Sequence, residues 1–239
     1  MSSPVLGATA GAGVPPGWHG KLPSLGDFAS RRLDTHFLDP WDHWLASGLQ
    51  HLRERDPAGW LDAYLASPSR RFLLMPGVLP GAAGGHAWAG VLMPSVDRVV
   101  RYFPFTIVQA LQPMPASIQQ LQSLWFWLGR FDELAADALH DDWPINRLED
   151  ELARMAAPGI ETQAVATAPL PQAIGTLVTL ALPPGLDISQ QIGLEALALW
   201  QTQHHGLAYW STCTASQAPG LRVSRGLPAT AADLLGATI

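Results

Sequence analysis

Apolar and polar positions alternate with two distinct periods along this chain, and the changes of period mark out its elements. Phe37, Trp41, Trp44, Leu45, Leu49 and Leu52 recur at helical spacing, with Asp42, His43, Gln50 and Arg53 on the opposite side. Asp39-Pro40 reads as an N-cap followed by proline at the first helical position, so a helix carrying two tryptophans is predicted from there. Asp56-Pro57 repeats the signal ahead of Trp60, Leu61, Tyr64 and Leu65, predicting a second, short helix that ends before Pro68. The period then becomes extended. Residues 71–75 are continuously apolar after Arg71, as in a strand buried on both faces. Residues 81–85 read as a loop, 86–93 as a returning strand stopped by Pro94, and 103–111 as a third strand rich in aromatic and β-branched residues. Connections this short require antiparallel neighbours. Upstream, 18–22 is a further strand candidate.

Ser117, Ile118, Gln119 and Gln120 have the form of a capping box. It opens a long helix striped by Leu121, Leu124, Trp125, Leu128 and Phe131 and continuing to about His140. After Pro144, a shorter helix is marked by Ile145, Leu148, Leu152 and Met155. Residues 156–173, small or polar with three prolines, read as a surface linker. A strand is expected over 173–182, a helix over 188–204, a closing hairpin over 207–213 and 220–225, and a short helix after Pro228. No internal repeat is visible. These elements predict an α/β domain, a mixed, mainly antiparallel central sheet with helices on both faces. Residues 1–16, rich in Ala, Gly, Ser and Pro, are expected to be a flexible leader, and 17–239 a single domain with a helical segment around 117–156.

Composition narrows the function classes. With 239 residues, 48% of them hydrophobic, the chain can bury a large core. Charged residues are only 14% and tryptophan numbers 10, which points to an extensive core or an apolar face that docks on a protein. A net charge of -6 argues against nucleic acid as a partner. A lone cysteine, Cys213, excludes an internal disulfide and a thiolate metal cage. The leader has no basic residue ahead of its apolar positions, and no stretch offers the roughly 20 uninterrupted apolar residues of a membrane helix. A soluble protein of a reducing, cytoplasmic compartment is expected, without membrane insertion; self-association is left open.

Candidate chemistry concentrates in two stretches. Trp18 to Leu33 is punctuated by Gly20, Pro23 and Gly26, and carries Lys21, Ser24 and Asp27 on the turns these create. Lys21 is the single lysine of the chain. Residues 94–104 have the same texture, and the two stretches are expected to meet. Asp97 and Arg101, four residues apart, can pair on a helical turn, leaving Arg98 to meet Asp27. Two readings follow. In one, the charges form an internal network that fixes two loops, and a buried arginine beside a carboxylate favours it because an unpaired buried charge costs several kcal/mol. In the other, Lys21, Asp27, Arg98 and Arg101 face a partner. No Gly-x-Ser-x-Gly elbow, Walker loop, dinucleotide fingerprint or His-Glu-x-x-His is present. Cys213 reads as a small core residue, His204-His205 as a polar helix end rather than metal ligands, and no cofactor is expected. An enzyme would need an unrecognised site around Lys21, Asp27, Ser95 and Arg101.

The motif of residues 17–33, Trp41-Asp-His-Trp-Leu45, and residues 88–104 together resemble the TagF family of type VI secretion-associated proteins; Tyr209-Trp210 and Arg225-Gly-Leu-Pro228 match its C-terminal signature more loosely. After Trp210, Ser211 and Thr212 stand where the family continues with another tryptophan and an acidic-glycine turn, so no binding role carries over there. The resemblance implies a three-layer α/β fold with a longin-like N-terminal half. It also implies a cytoplasmic, non-catalytic accessory protein that represses assembly or firing of the type VI apparatus after translation, opposing a kinase-dependent activation route. The implied partner is a forkhead-associated scaffold protein. Some relatives are fused to a protein phosphatase domain, for which this chain has no room. Lys21, Ser24, Asp27, Phe28, Ser95, Asp97, Arg98, Arg101 and Tyr102 are the motif positions expected to bind the partner or to organise the loops. The alternative is a structural or assembly subunit of the same system.

Overall fold

The computed structural model describes residues 14–115, 117–155, 203–212 and 220–236. Seven strands make one sheet: β1 (Gly17–Lys21), β2 (Phe28–Arg31), β3 (Arg70–Leu74), β4 (Ala87–Met93), β5 (Phe105–Leu111), β6 (Leu207–Thr212) and β7 (Gly220–Arg225). Their order is β2-β1-β5-β4-β3-β6-β7. Every pairing among the described residues is antiparallel, where a mixed, mainly antiparallel sheet was expected. Among the described residues five helices accompany it: α1 (Thr35–Arg55), α2 (Trp60–Leu65), α3 (Ile118–His140), α4 (Ile145–Arg154) and α5 (Ala232–Leu235), with a 3-10 turn at Gly81–Gly85 where a loop was expected.

Alternate strand residues enter two separate cores. Leu73, Ala89, Val91 and Ile107 pack with Leu124, Leu128 and Phe131 of α3 and Leu148 and Leu152 of α4. Phe72, Leu74, Trp88 and Val108 pack with Phe37, Trp41 and Trp44 of α1, Tyr64 of α2 and Leu234 of α5. With apolar side chains required on both faces, β4 is buried at all seven positions, and β3 buries Phe72, Leu73 and Leu74 of the apolar run predicted over 71–75. Most tryptophans among the described residues are core. Trp41 and Trp210 are fully buried, and Trp41 stacks among Phe37, Trp44, Phe72 and Trp210. Burying an indole requires a partner for its N–H. Trp41 Nε1 donates to Thr106 Oγ1 at 3.0 Å, Trp44 Nε1 to the Pro228 carbonyl at 2.8 Å, and Trp88 Nε1 to the Ala83 carbonyl at 2.9 Å.

Two charged pairs pin helices to the sheet. Arg71 of β3 reaches Asp132 of α3 at 3.1 Å, and Gly129 leaves the space, since a Cβ there would stand 3.3 Å from Arg71 Nη1. At the other end, Trp18 Nε1 donates to Glu149 Oε1 at 2.6 Å and Arg32 pairs with the same carboxylate, joining the first hairpin to α4. Burial raises the pKa of Glu149, but the Arg32 guanidinium and the Trp18 N–H outweigh it and hold the carboxyl below its ordinary value.

Two helix starts differ from those the Asp-Pro pairs predict. The N-cap of α1 is Asp34, whose carboxylate accepts the Phe37 N–H at 3.1 Å, and Pro40 lies inside the second turn rather than at the first position. Asp56 closes α1, and its side chain accepts the Gly59 N–H at 2.9 Å, so the second Asp-Pro begins a turn and α2 starts only at Trp60. Ser117 does cap α3, accepting the Gln120 N–H at 3.1 Å, and α3 ends at His140 as predicted. The linker over 156–173, the strand over 173–182, nearly all of the helix over 188–204, and Cys213 lie outside the described residues, as does the leader before Val14.

Candidate functional site

The two polar stretches meet. What the sequence presents as a strand entering a loop is a hairpin: β1 ends at Lys21, residues 22–27 turn, and β2 returns with Phe28 opposite Lys21. Gly20 belongs to β1, not to a turn; its φ is 132°, and a Cβ on it would come within 2.2 Å of the Pro104 carbonyl oxygen where β5 approaches. The second stretch leaves β4, makes an isolated antiparallel bridge between Val96 and Tyr102, and turns over residues 97–101. The resulting double turn lies at one end of the sheet.

Asp97 is the centre of it, with no solvent exposure. Its Oδ2 receives Lys21 Nζ at 2.5 Å and Arg101 Nε at 2.8 Å, while Oδ1 accepts the backbone N–H groups of Val99 at 3.0 Å and Arg101 at 2.8 Å. Burial alone would raise the pKa of this carboxyl. The Lys21 ammonium, the Arg101 backbone and guanidinium and the Val99 N–H outweigh burial, and hold it well below the usual carboxylate range. Lys21, itself 3% exposed, also stands 4.3 Å from the centroid of the Phe28 ring. Ser95 donates its hydroxyl to the Lys21 carbonyl at 2.7 Å.

Two hydrogen bonds and an ion pair tie the turns together at their tips. Arg98 donates its backbone N–H to the Leu25 carbonyl at 2.9 Å. Arg101 Nη2 donates to the Gly26 carbonyl and stands 3.7 Å from Asp27 Oδ1. Thus Asp27 faces Arg101, not Arg98 as expected. The Asp97–Arg101 pair forms as predicted but across a tight turn rather than a helical one. Bridge closure turns the Arg101 side chain back toward the first hairpin, and the Arg98 side chain enters none of the ion pairs among the described residues. Ser24 faces elsewhere, donating to the Trp143 carbonyl between α3 and α4 at 2.7 Å. Tyr102 packs edge-on against Trp60 and Tyr64.

Two participants escaped the sequence reading. Tyr64 passes there as a core residue of α2, yet its hydroxyl both donates to the Ser95 carbonyl at 3.0 Å and accepts the Ser95 N–H at 2.8 Å. Burial pushes the Tyr64 phenol above its ordinary pKa, so it stays protonated and able to serve both bonds. His19, two residues before Lys21 on the same face of β1, hydrogen-bonds Asp42 of α1 at 3.1 Å and stacks on Phe28 with ring centroids 6.1 Å apart. Its period-two relation to Lys21 was the available signal. The histidines weighed as metal ligands are otherwise engaged: His204 Nδ1 hydrogen-bonds Tyr209, and the His205 ring packs over Gly77. Among the described residues no three His, Cys, Asp or Glu side chains converge, and no helix is long and apolar enough to cross a membrane.

The architecture defines a class first: an α/β protein on a seven-stranded antiparallel sheet, with a charge-paired double turn formed by the β1–β2 hairpin and the segment before β5. The N-terminal domain of TagF, described as type VI secretion system-associated, matches residues 17–155, the span that holds the whole double turn, and the chain belongs to that family. The crystal structure of PA0076 from Pseudomonas aeruginosa PAO1 is similar to it at a TM-score of 0.67 and 35% sequence identity, covering 92% of each chain. No curated protein matches the sequence.

Proposed function

We propose that this type VI secretion-associated protein is a non-catalytic, cytoplasmic accessory factor that represses assembly or firing of the apparatus after translation, by binding a forkhead-associated scaffold protein. The observation that carries the non-catalytic part is the pairing of Lys21 with Asp97 at 2.5 Å, both side chains closed to solvent. A lysine acting as base or nucleophile needs an open face toward a substrate. Here the only lysine is held by a carboxylate, and Ser95 is equally committed to the Lys21 carbonyl. The charges build a rigid support, and the exposed turn tips are the part left for recognition. The partner and the sign of the effect follow from the family resemblance. Of the fold reading that accompanies it, the three-layer sandwich is supported by the separation of odd and even strand positions into two helical packs, and the longin-like N-terminal half follows from the family resemblance.

The test combines a pull-down of the purified forkhead-associated protein, using wild type, Asp27→Ala and Arg98→Ala, with secretion measured in a deletion strain. Repression by binding predicts capture by wild type and increased secretion on deletion. Absence of any complex would overturn the binding role. Abolished secretion on deletion would establish the alternative, a structural or assembly subunit.

A further inference from the structure

We infer that the tip of the double turn, Phe28 with Arg98, Val99, Val100 and Arg101, is a docking surface for a partner segment that carries carboxylates beside apolar side chains. The inference rests on the binding role proposed above and gives it a location and a chemistry.

Apolar exposure is the first observation. Phe28, Val99 and Val100 are 47%, 58% and 65% exposed, although most large apolar residues among those described are buried. Rigidity is the second. The Phe28 ring is held by Lys21, by Phe103 edge-on with centroids 4.8 Å apart, and by His19 stacked beside it. The 97–101 turn is held by Asp97 from within and by the Arg98 N–H on Leu25 from outside. An exposed aromatic already fixed in place loses little freedom on binding, which is the property of an interface anchor.

Charge selects the occupant. The exposed charges of the two turns are the cations Arg98 and Arg101 against the carboxylate of Asp27, while Lys21 at the end of β1 and Asp97 are buried against each other. Arg98, exposed between Asp97 and Val99, has no ion-pair partner among the described residues. The surface is therefore locally positive on a chain of net charge -6, and carboxylates complement it. Nucleic acid is disfavoured, because two exposed arginines on an acidic protein cannot track a phosphate backbone. A second copy docked face to face would set Arg98 and Arg101 against the same residues of its mate.

The test uses the purified full chain and its Arg98→Glu and Val99→Asp variants, both altered at exposed side chains. Each is titrated by fluorescence anisotropy with two labelled peptides of equal length, one alternating Glu with Leu and Phe, the other with Lys in each Glu position. Wild type is expected to bind the acidic peptide about tenfold tighter than the basic one, more weakly as salt rises. Arg98→Glu should abolish that preference, and Val99→Asp should weaken the acidic peptide with circular dichroism unchanged. Equal binding of the two peptides by wild type, or undiminished acidic-peptide binding by Arg98→Glu, overturns the inference. Pull-down of the forkhead-associated protein with the same variants separates the two ideas. Capture that survives Arg98→Glu overturns this surface and leaves the binding role standing. Acidic-peptide binding by a wild type that captures no scaffold supports the surface and overturns the scaffold as its partner.

Discussion

Val100 adopts a φ of 64° at the tip of the second turn, a conformation that branched side chains rarely take. It is held there because Asp97 bonds the backbone on both sides of it and the Val100 N–H returns to the Asp97 carbonyl at 3.0 Å. Strain of this kind is worth on the order of 1–3 kcal/mol. Val100→Gly should therefore stabilise the fold by about 1 kcal/mol in urea denaturation. Asp97 gives a second expectation at this scale. Its folded pKa is depressed, so its stabilisation is complete above the unfolded value near about 4 and is lost as pH falls below that. Acid unfolding followed by tryptophan fluorescence should begin below that pH. Lys21→Met, which removes one of the cations holding the carboxylate, should move the acid transition upward. The charged residues at this scale were legible as residue types, and the meeting of the two stretches was too. The choice of Arg101 over Arg98 for Asp27 was not, because neighbouring arginines have equal reach and only the hand of the turn selects between them.

At the scale of elements, Asp34 and Asp39 make a direct comparison. Only Asp34 bonds the first turn of α1. Asp34→Ala should cost about 1 kcal/mol, whereas Asp39→Ala, exposed inside the helix, should change stability by less than about 0.5 kcal/mol. Thermal denaturation of the two variants side by side checks both. The long helices were legible because a stripe such as Leu124, Leu128 and Phe131 fixes the period over several turns. The start of α1 was not, because two aspartates five residues apart compete for the cap and proline is tolerated one turn in. β2 was invisible for another reason. It is a four-residue edge strand, exposed or half-exposed throughout, so burial never imposed an alternating pattern on it.

For the whole molecule, the sheet order carries a consequence that the span of the family match does not suggest. β6 pairs with β3 in the interior of the sheet, and Trp210 from β6 packs against Trp41, Trp44 and Phe72. Residues 17–155, although they contain the double turn, thus lack one wall of their own core. A fragment ending at Met155 should expose the β3 edge and the slot that Trp210 fills, and should associate or unfold without a cooperative transition. Size-exclusion chromatography and thermal unfolding of that fragment beside the full chain measure this. A fragment that is monomeric and cooperative would show that the second core is complete without β6.

The sequence by itself determined the long helices, the buried strands and the two polar stretches whose residues form the double turn. These properties are written in local period and residue chemistry, which act over a few turns of chain. Tertiary structure alone decided that every described strand pairs antiparallel, that Tyr64 and His19 join the site, and that Asp27 faces Arg101. Each of those depends on which distant backbones come side by side, and the choice is made by burying both faces of one sheet at once rather than by any stretch of residues alone.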